Sequence, residues 1–443
     1  MSAAETGADA TSPEAFAPAG LSPWQRAKAI LGGSAGNLVE WYDWFAYASF
    51  SIYFAKVFFP EGDQTAQYMN TALVFALGFV ARPVGAWIMG FYADRSGRRA
   101  ALSLSVAMMC LGSLIVALIP GYAQIGVAAP ATLLAARLLQ GLSIGGEYGA
   151  SATYMSEVAG RKRRGFWSSF QFVTLIAGQL AAALVLVVVQ QTLTKEQISD
   201  WGWRIPFVIG ALLAIVVFWI RRGIEESESF TTARARGERG SSMLLFTQYP
   251  RETATIIGLT AGGSLGFYAY TTYMLKFLTN TAGFSKEQAG AINFVTLIGF
   301  MLAQPVIGWL SDRVGRRAML ALAFGGGALI AWPVFTTLAH TQSAALAGAL
   351  ILGSLVILTG YTAVSAVVKA ELFPAHCRAM GVAIPYALAN ALFGGTAEYV
   401  ALWFKHRGAE SGFYIYVAAI MTVACVIALT MRETSKHSLI YED

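Results

Sequence analysis

The chain has 443 residues, 56% of them hydrophobic and 13% charged, with a formal charge of +6. So little charge excludes an ordinary soluble domain, which carries about 25% charged residues. Nor does the positive balance mark a nucleic-acid binder, because the basic residues lie in alternate short loops between long apolar runs.

Residues 1–20 are rich in Ala, Pro, Ser and Thr with three acids, and read as a disordered tail rather than a signal peptide. Apolar runs follow at 29–55, 66–92, 100–120, 131–157, 166–190 and 204–220, and then at 253–279, 288–310, 318–338, 344–368, 380–403 and 412–431. Most hold about 20 residues or more, enough for a helix to cross ~30 Å of hydrocarbon. The expected fold is therefore an all-α membrane protein with twelve transmembrane helices. Its layout is a cytoplasmic tail at 1–27, a six-helix half at 28–222, a linker at 223–250, a second six-helix half at 251–432 and a tail at 433–443.

Lys and Arg set the orientation. The tails and the loops on their side hold 21 of the 31, and the opposite loops hold five: Lys56, Lys195, Lys286, Lys405 and Arg407. The positive-inside rule puts both termini in the cytoplasm. Arg82, Arg137, Arg204, Lys276 and Lys369 remain, within spans or at their ends. The cysteines, Cys110, Cys377 and Cys425, imply no disulfide framework, and the scattered histidines no metal site.

The turn Gly90, Asp94, Arg95, Gly97, Arg98, Arg99 recurs 218 residues later as Gly308, Asp312, Arg313, Gly315, Arg316, Arg317. Glu157 and Glu371 end equivalent spans, and Gly178 and Gly394 share an offset in the fifth and eleventh. These echoes predict two pseudo-symmetric halves around a central site.

At 1.5 Å rise per residue, counted from the nearest cytoplasmic charge, Glu40 and Arg82 lie ~18 Å deep and Asp43 and Glu147 ~21–22 Å. Gln179, Ser264, Tyr361 and Asn390 fall at ~15–23 Å. Ionisable groups at that depth face a cavity or one another. Arg82 shares a helix face with Gly78, Gly85 and Ala86, which is expected to leave room around its guanidinium. The bland reading of each is a helix-holding contact: an Arg82 pair with Glu40 or Asp43, a Glu147 bonded to a neighbouring helix, snorkelling for Lys276 and Lys369, an interfacial anchor for Arg204. Arg137 and Glu398 count toward the outside. Gly141, Gly145 and Gly149 form a ladder suited to close helix packing.

Gly32-Gly-Ser34-Ala-Gly36 matches a hydrolase pattern but opens a membrane helix rather than a strand-turn-helix. With no P-loop, nucleophile–base set or metal cluster, neither an enzyme nor a cofactor is expected.

The duplicated turn resembles the loop signature of the major facilitator superfamily. Gly36-Asn37-Leu38-Val39-Glu40-Trp41-Tyr42-Asp43, Arg82-Pro83-Val84-Gly85 and Gly145-Gly146-Glu147-Tyr148-Gly149 are similar to its metabolite:proton symporter branch, and Arg137-x-x-Gln140-Gly141 to the fourth-helix signature of proton-coupled members. Further stretches, including Thr271-Thr272-Tyr273-Met274, Lys369-Ala370-Glu371 and Gly394-Gly395-Thr396-Ala397-Glu398-Tyr399, resemble that branch's 2-oxoglutarate carriers. Arg95-Ser96 departs from that pattern, which has a lysine and a histidine there, so any role of the histidine does not carry over.

The resemblance implies a monomeric, proton-coupled importer of a small dicarboxylate, 2-oxoglutarate foremost, in a bacterial inner membrane. Its rivals are a same-branch carrier of citrate, shikimate or an osmolyte, or a channel or sensor on the same fold. Substrate contacts are expected from Arg82, Lys369, Lys276, Tyr273, Tyr361, Asn390 and Gln179. Proton coupling is expected from Glu40, Asp43, Glu147 and Arg137, and gating from Asp94, Arg98 and Glu157 and their echoes Asp312, Arg316 and Glu371. With ~2.3 kcal/mol per elementary charge per 100 mV, a dianion needs more than two protons to enter with net positive charge.

Overall fold

The computed structural model describes residues 23–96, 98–144, 152–153, 155–156, 159, 163–222, 245, 247–374 and 377–440. The side chains of 23–36, 90–91, 93–102, 144, 217–218 and 220–222 lie outside the description. In the first half the long helices are α1 (Pro23–Phe58), α2 (Gln64–Ser96), α3 (Arg98–Leu118), α4 (Ala128–Ile144), α5 (Phe170–Thr192, led in by a helical turn at Arg164–Ser168) and α6 (Ile205–Arg222). In the second they are α7 (Pro250–Tyr270, continued as Thr272–Asn280), α8 (Lys286–Val314), α9 (Arg316–His340), α10 (Ala344–Glu371), α11 (Arg378–Ala389, a π turn at Asn390–Gly395, then Ala397–His406) and α12 (Ser411–Thr430).

Among the described residues seven helices are long and apolar enough to cross a membrane, and α3 and α6 contain shorter apolar helices. Large apolar side chains stand exposed around the outside, among them Leu118, Trp219, Leu302 and Leu329. Such a belt suits hydrocarbon and would be an aggregation surface in water.

Local sequence sets the ends. Ser285 and Gln288 form a capping box that starts α8, and Pro250 occupies the first turn of α7. Gly315, at φ 104°, lets the chain reverse in one residue between α8 and α9, a conformation a side chain would strain. Arg204 donates to the Ala117 and Ile119 carbonyls at 2.9 and 2.7 Å, closing the end of α3. It is a helix cap as well as a neighbour of the Trp203 ring.

The two halves repeat one packing scheme. α1 lies on α5, α2 on α4 and α3 on α6; α7 lies on α11, α8 on α10 and α9 on α12. The echoing glycines make these approaches possible. A Cβ at Gly178 would sit 2.5 Å from the Leu38 carbonyl of α1, and one at Gly394 2.8 Å from the Tyr268 ring of α7. The halves meet along two seams, α5 against α8 and α2 against α11. Gly165 and Gly308 bring the backbones of the first seam together, and Gly395 rests on Phe79 in the second.

Helix begins at Pro23, inside the stretch expected as tail, and the segment after α12 packs back onto the body. The Leu439 amide donates to the Glu371 carbonyl at 3.1 Å, and Ile440 is buried with Ala152, Ala366, Ala370 and Val382, residues of both halves. Residues 1–22 and 223–244 lie outside the described residues.

Candidate functional site

At the centre, Phe172 and Leu175 of α5 face Gly263, Ser264, Phe267 and Tyr268 of α7, Tyr361 of α10, and Tyr386 and Asn390 of α11. They enclose about 10 Å³, room for one water. Ser264, Tyr361 and Asn390 thus meet around one small cavity. Asn390 opens the π turn of α11, a distortion common at functional sites. Gly263 is required here, since a Cβ would lie 2.0 Å from the Tyr361 ring.

Arg82 does not line this chamber but lies beside two residues that do, Tyr268 and Tyr386. Its charge is felt by Tyr268, Glu40 and Tyr386, and its guanidinium lies 3.8 Å from the Phe79 ring centre, 4.3 Å from Trp44 and 4.9 Å from Trp41. Nε and Nη2 are buried with no hydrogen-bond acceptor among the described residues. The expected space around it is absent. Gly78 and Gly85 are consumed by packing, their Cβ positions 2.7 Å from Trp44 and 2.2 Å from the Leu142 carbonyl of α4. The guanidinium is sealed under aromatic rings instead of standing in a wet cavity.

Lys369 approaches the chamber from the other half. Snorkelling is excluded: the residue is buried, its Nζ donates to Ser365 Oγ at 2.7 Å and to Tyr361 Oη at 3.5 Å, and it lies 4.2 Å over the Tyr386 ring. Tyr386 therefore touches the fields of both cations.

Asp43 turns away from Arg82 into the first half. It accepts from Arg137 Nη1 at 3.0 Å, from Gln140 Nε2 at 2.7 Å and from Ser113 Oγ. Arg137 is fully buried, 4.3 Å from the Trp44 ring and 4.5 Å from Tyr47. Counting from Arg161 placed it near the outside; the helix and the long side chain bring its charge back to the depth of Asp43.

Lys276 is also buried, and its charge is matched by Glu398. Tyr273 belongs to a neighbouring network, donating to Glu410 at 3.4 Å, where Lys405 and Thr281 also bind. Neither lines the chamber, and neither does buried Gln179.

On the charged-turn face, Asp312 accepts from the Gly165 and Phe166 amides of the first half at 2.8 and 3.0 Å. Arg316 pairs with Asp312 at 2.8 Å and with Glu371 at 3.9 Å, and Arg164 reaches Glu371 at 3.8 Å. The sequence reading missed Arg164 and Glu433. The Glu433 carboxylate accepts from the Arg316 and Arg317 amides at 2.9 and 3.0 Å and so caps α9. Burial opposes its charge, yet the amides of Arg316, Arg317 and Ser435 and the Ser435 hydroxyl together hold the carboxyl below its usual range. The side chains of Asp94, Arg98, Glu147 and Glu157 lie outside the described residues.

The sequence pattern of the sugar (and other) transporter family matches residues 29–250 and again 238–441. The alpha-ketoglutarate permease of Escherichia coli K12 is 50% identical over 93% of this chain and 95% of its own. The citrate-proton symporter of Salmonella typhi is 32% identical over 91% and 94%, and the proline/betaine transporter of E. coli K12 31% over 93% and 84%. Among solved structures, the major facilitator superfamily proton:xylose symporter XylE superposes with a TM-score of 0.74 over 94% of this chain and 98% of that one at 17% identity, a likeness of fold. The chain belongs to the sugar (and other) transporter family, on the twelve-helix fold of the major facilitator superfamily.

Proposed function

We infer that this protein is a proton-coupled symporter that imports a small dicarboxylate, 2-oxoglutarate, by alternating access in a bacterial inner membrane. Both termini and the charged-turn face lie in the cytoplasm, the halves 28–222 and 251–432 rock about the chamber, and the chain works as a monomer. The observation that carries the reading is Arg82, a buried cation beside the chamber with donors left over among the described residues. A planar guanidinium fork fits a carboxylate bidentately, and unspent buried donors are costly until a ligand takes them. Lys369, reaching the same chamber from the second half, meets the other carboxylate. The permease and citrate symporter among the relatives fit a carboxylate cargo.

Asp43 and Arg137 form the proton-responsive pair. Burial and an adjacent cation act on a carboxylate in opposite senses, so moving Arg137 changes how readily Asp43 takes a proton. Glu40, beside Arg82, and Glu147 are further carriers on sequence grounds. Asp312, Arg316 and Glu371 latch the cytoplasmic face while the cavity opens outward; Asp94, Arg98 and Glu157 do the same in the other half. Tyr361 and Asn390 contact the bound acid.

The test is uptake of labelled 2-oxoglutarate with citrate, succinate and proline as competitors. Unlabelled 2-oxoglutarate should compete most strongly; stronger competition by citrate or proline transfers the assignment to that substrate. Arg82→Ala should lose affinity by about 10–100-fold, the loss of one charged hydrogen-bonding partner, and Arg82→Lys should recover little because it lacks the fork. Wild-type affinity in both would remove Arg82 from the site.

A further inference from the structure

At the face opposite the charged turns, the seam between the halves holds a cleft of about 280 Å³. That is near the lower end of the range for small-molecule sites, about 300 Å³. Lys195 and Ser199 line it from the first half with Gln64, and Thr279 and Lys286 from the second. Its one acid, Glu287, is 3.7 Å from Lys195 across the seam, and Lys56 adds a further positive charge beside Lys286. The balance is cationic at the mouth of a carrier whose cargo is an anion.

Lys286 also ties the halves together. Its Nζ donates to the Ile52 carbonyl of α1 at 2.6 Å and lies 4.4 Å over the Tyr53 ring. Gln190 of α5 reinforces the joint, donating at 3.0 Å both to the Lys286 carbonyl and to Tyr53 Oη. A half-buried ammonium spent on a neutral carbonyl is a replaceable bond, because a carboxylate is the stronger acceptor.

We propose that this cleft captures the dicarboxylate ahead of the chamber and that Lys286 is the gate it operates: a substrate carboxylate draws the ammonium off the Ile52 carbonyl and so frees α1 from α8. The choice of ligand rests on the 2-oxoglutarate reading; the cleft and the tie do not. Lys195 and Lys56 concentrate dianions at the opening, an attraction that salt screens over about 10 Å at 0.1 M.

The experiment compares wild type, Lys286→Gln and Lys286→Arg in proteoliposomes, with initial rates taken at low and high ionic strength. Lys286→Gln should raise KM for 2-oxoglutarate about tenfold, more than it lowers the maximal rate, and should flatten the rise of KM with salt, while Lys286→Arg stays near wild type. A second measurement needs no transport: modification of Lys286 by a membrane-impermeant amine reagent, read by mass spectrometry on the wild-type protein. 2-Oxoglutarate and succinate should slow it severalfold, and uncharged glutaramide should not. Protection without uptake overturns the transport reading and keeps the cleft. Uptake without protection, with an unchanged KM and salt response in Lys286→Gln, overturns the cleft and its gate.

Discussion

Two guanidinium groups, those of Arg82 and Arg137, each lie 4.3 Å from the rings of Trp44. Desolvated contacts of this kind are worth up to about 2 kcal/mol each, so a move of Arg82 toward a substrate alters a surface that Arg137 shares. Trp44→Leu keeps apolar bulk but removes the π face. It should lower the number of protons carried per substrate, measured by simultaneous pH and label uptake; unchanged stoichiometry with unchanged KM would dismiss the link. Asp43→Asn should keep exchange of substrate across the membrane while abolishing accumulation. The sequence made Arg82, Asp43 and Arg137 visible because charge within an apolar run is expensive. Who pairs with whom was not visible. Depth counted at a fixed rise takes no account of tilt or side-chain reach, so Arg137 looked remote from Asp43, and Lys276 and Glu398, 122 residues apart, did not suggest each other.

At the next scale the segment after α12 acts as a strap. Glu433 caps α9, Arg378 and Arg164 hold Leu439 and Ser438, and Ile440 sits among alanines of both halves. Composition alone read this short polar stretch as a tail, since a strap is defined by distant partners and not by its own periodicity. Ile440→Asp places a charge in that contact, and cysteines added on the charged-turn face should then react faster with a soluble maleimide. Rates equal to wild type would mean the strap seals nothing. Glu433 gives a pH signature. Its folded value lies below the unfolded one, about 4.3, so the cap's contribution is present above that pH and is lost as pH falls through the folded value. Glu433→Gln should lower Tm by about 2 °C at pH 7, and the difference should close once pH has fallen through the folded value. A difference that persists there would assign the effect to packing. The described helices were readable to within several residues from the lengths of the apolar runs, the end of the fourth run lying outside the described residues. The π turn at Asn390 was not, because nothing local distinguishes it from a regular helix.

For the whole molecule, both mouths are closed among the described residues, by Lys286 with Ile52 and Asn280 with Thr65 at one end and by Asp312 with Gly165 and Phe166 at the other. The chamber between them is reduced to about 10 Å³. Duplication in the sequence made the two-half plan legible, since repeated turns and glycines at matching offsets require matching contacts. The closed state was not legible, because the same residues serve open and sealed forms. Whether a proton gradient drives a dicarboxylate through this chamber is read in proteoliposomes with an imposed gradient, acid outside, and labelled 2-oxoglutarate outside. The expected result is accumulation above the external concentration in wild type, abolished by a protonophore and by Arg82→Ala; equilibration without accumulation, or accumulation indifferent to the protonophore, would contradict it.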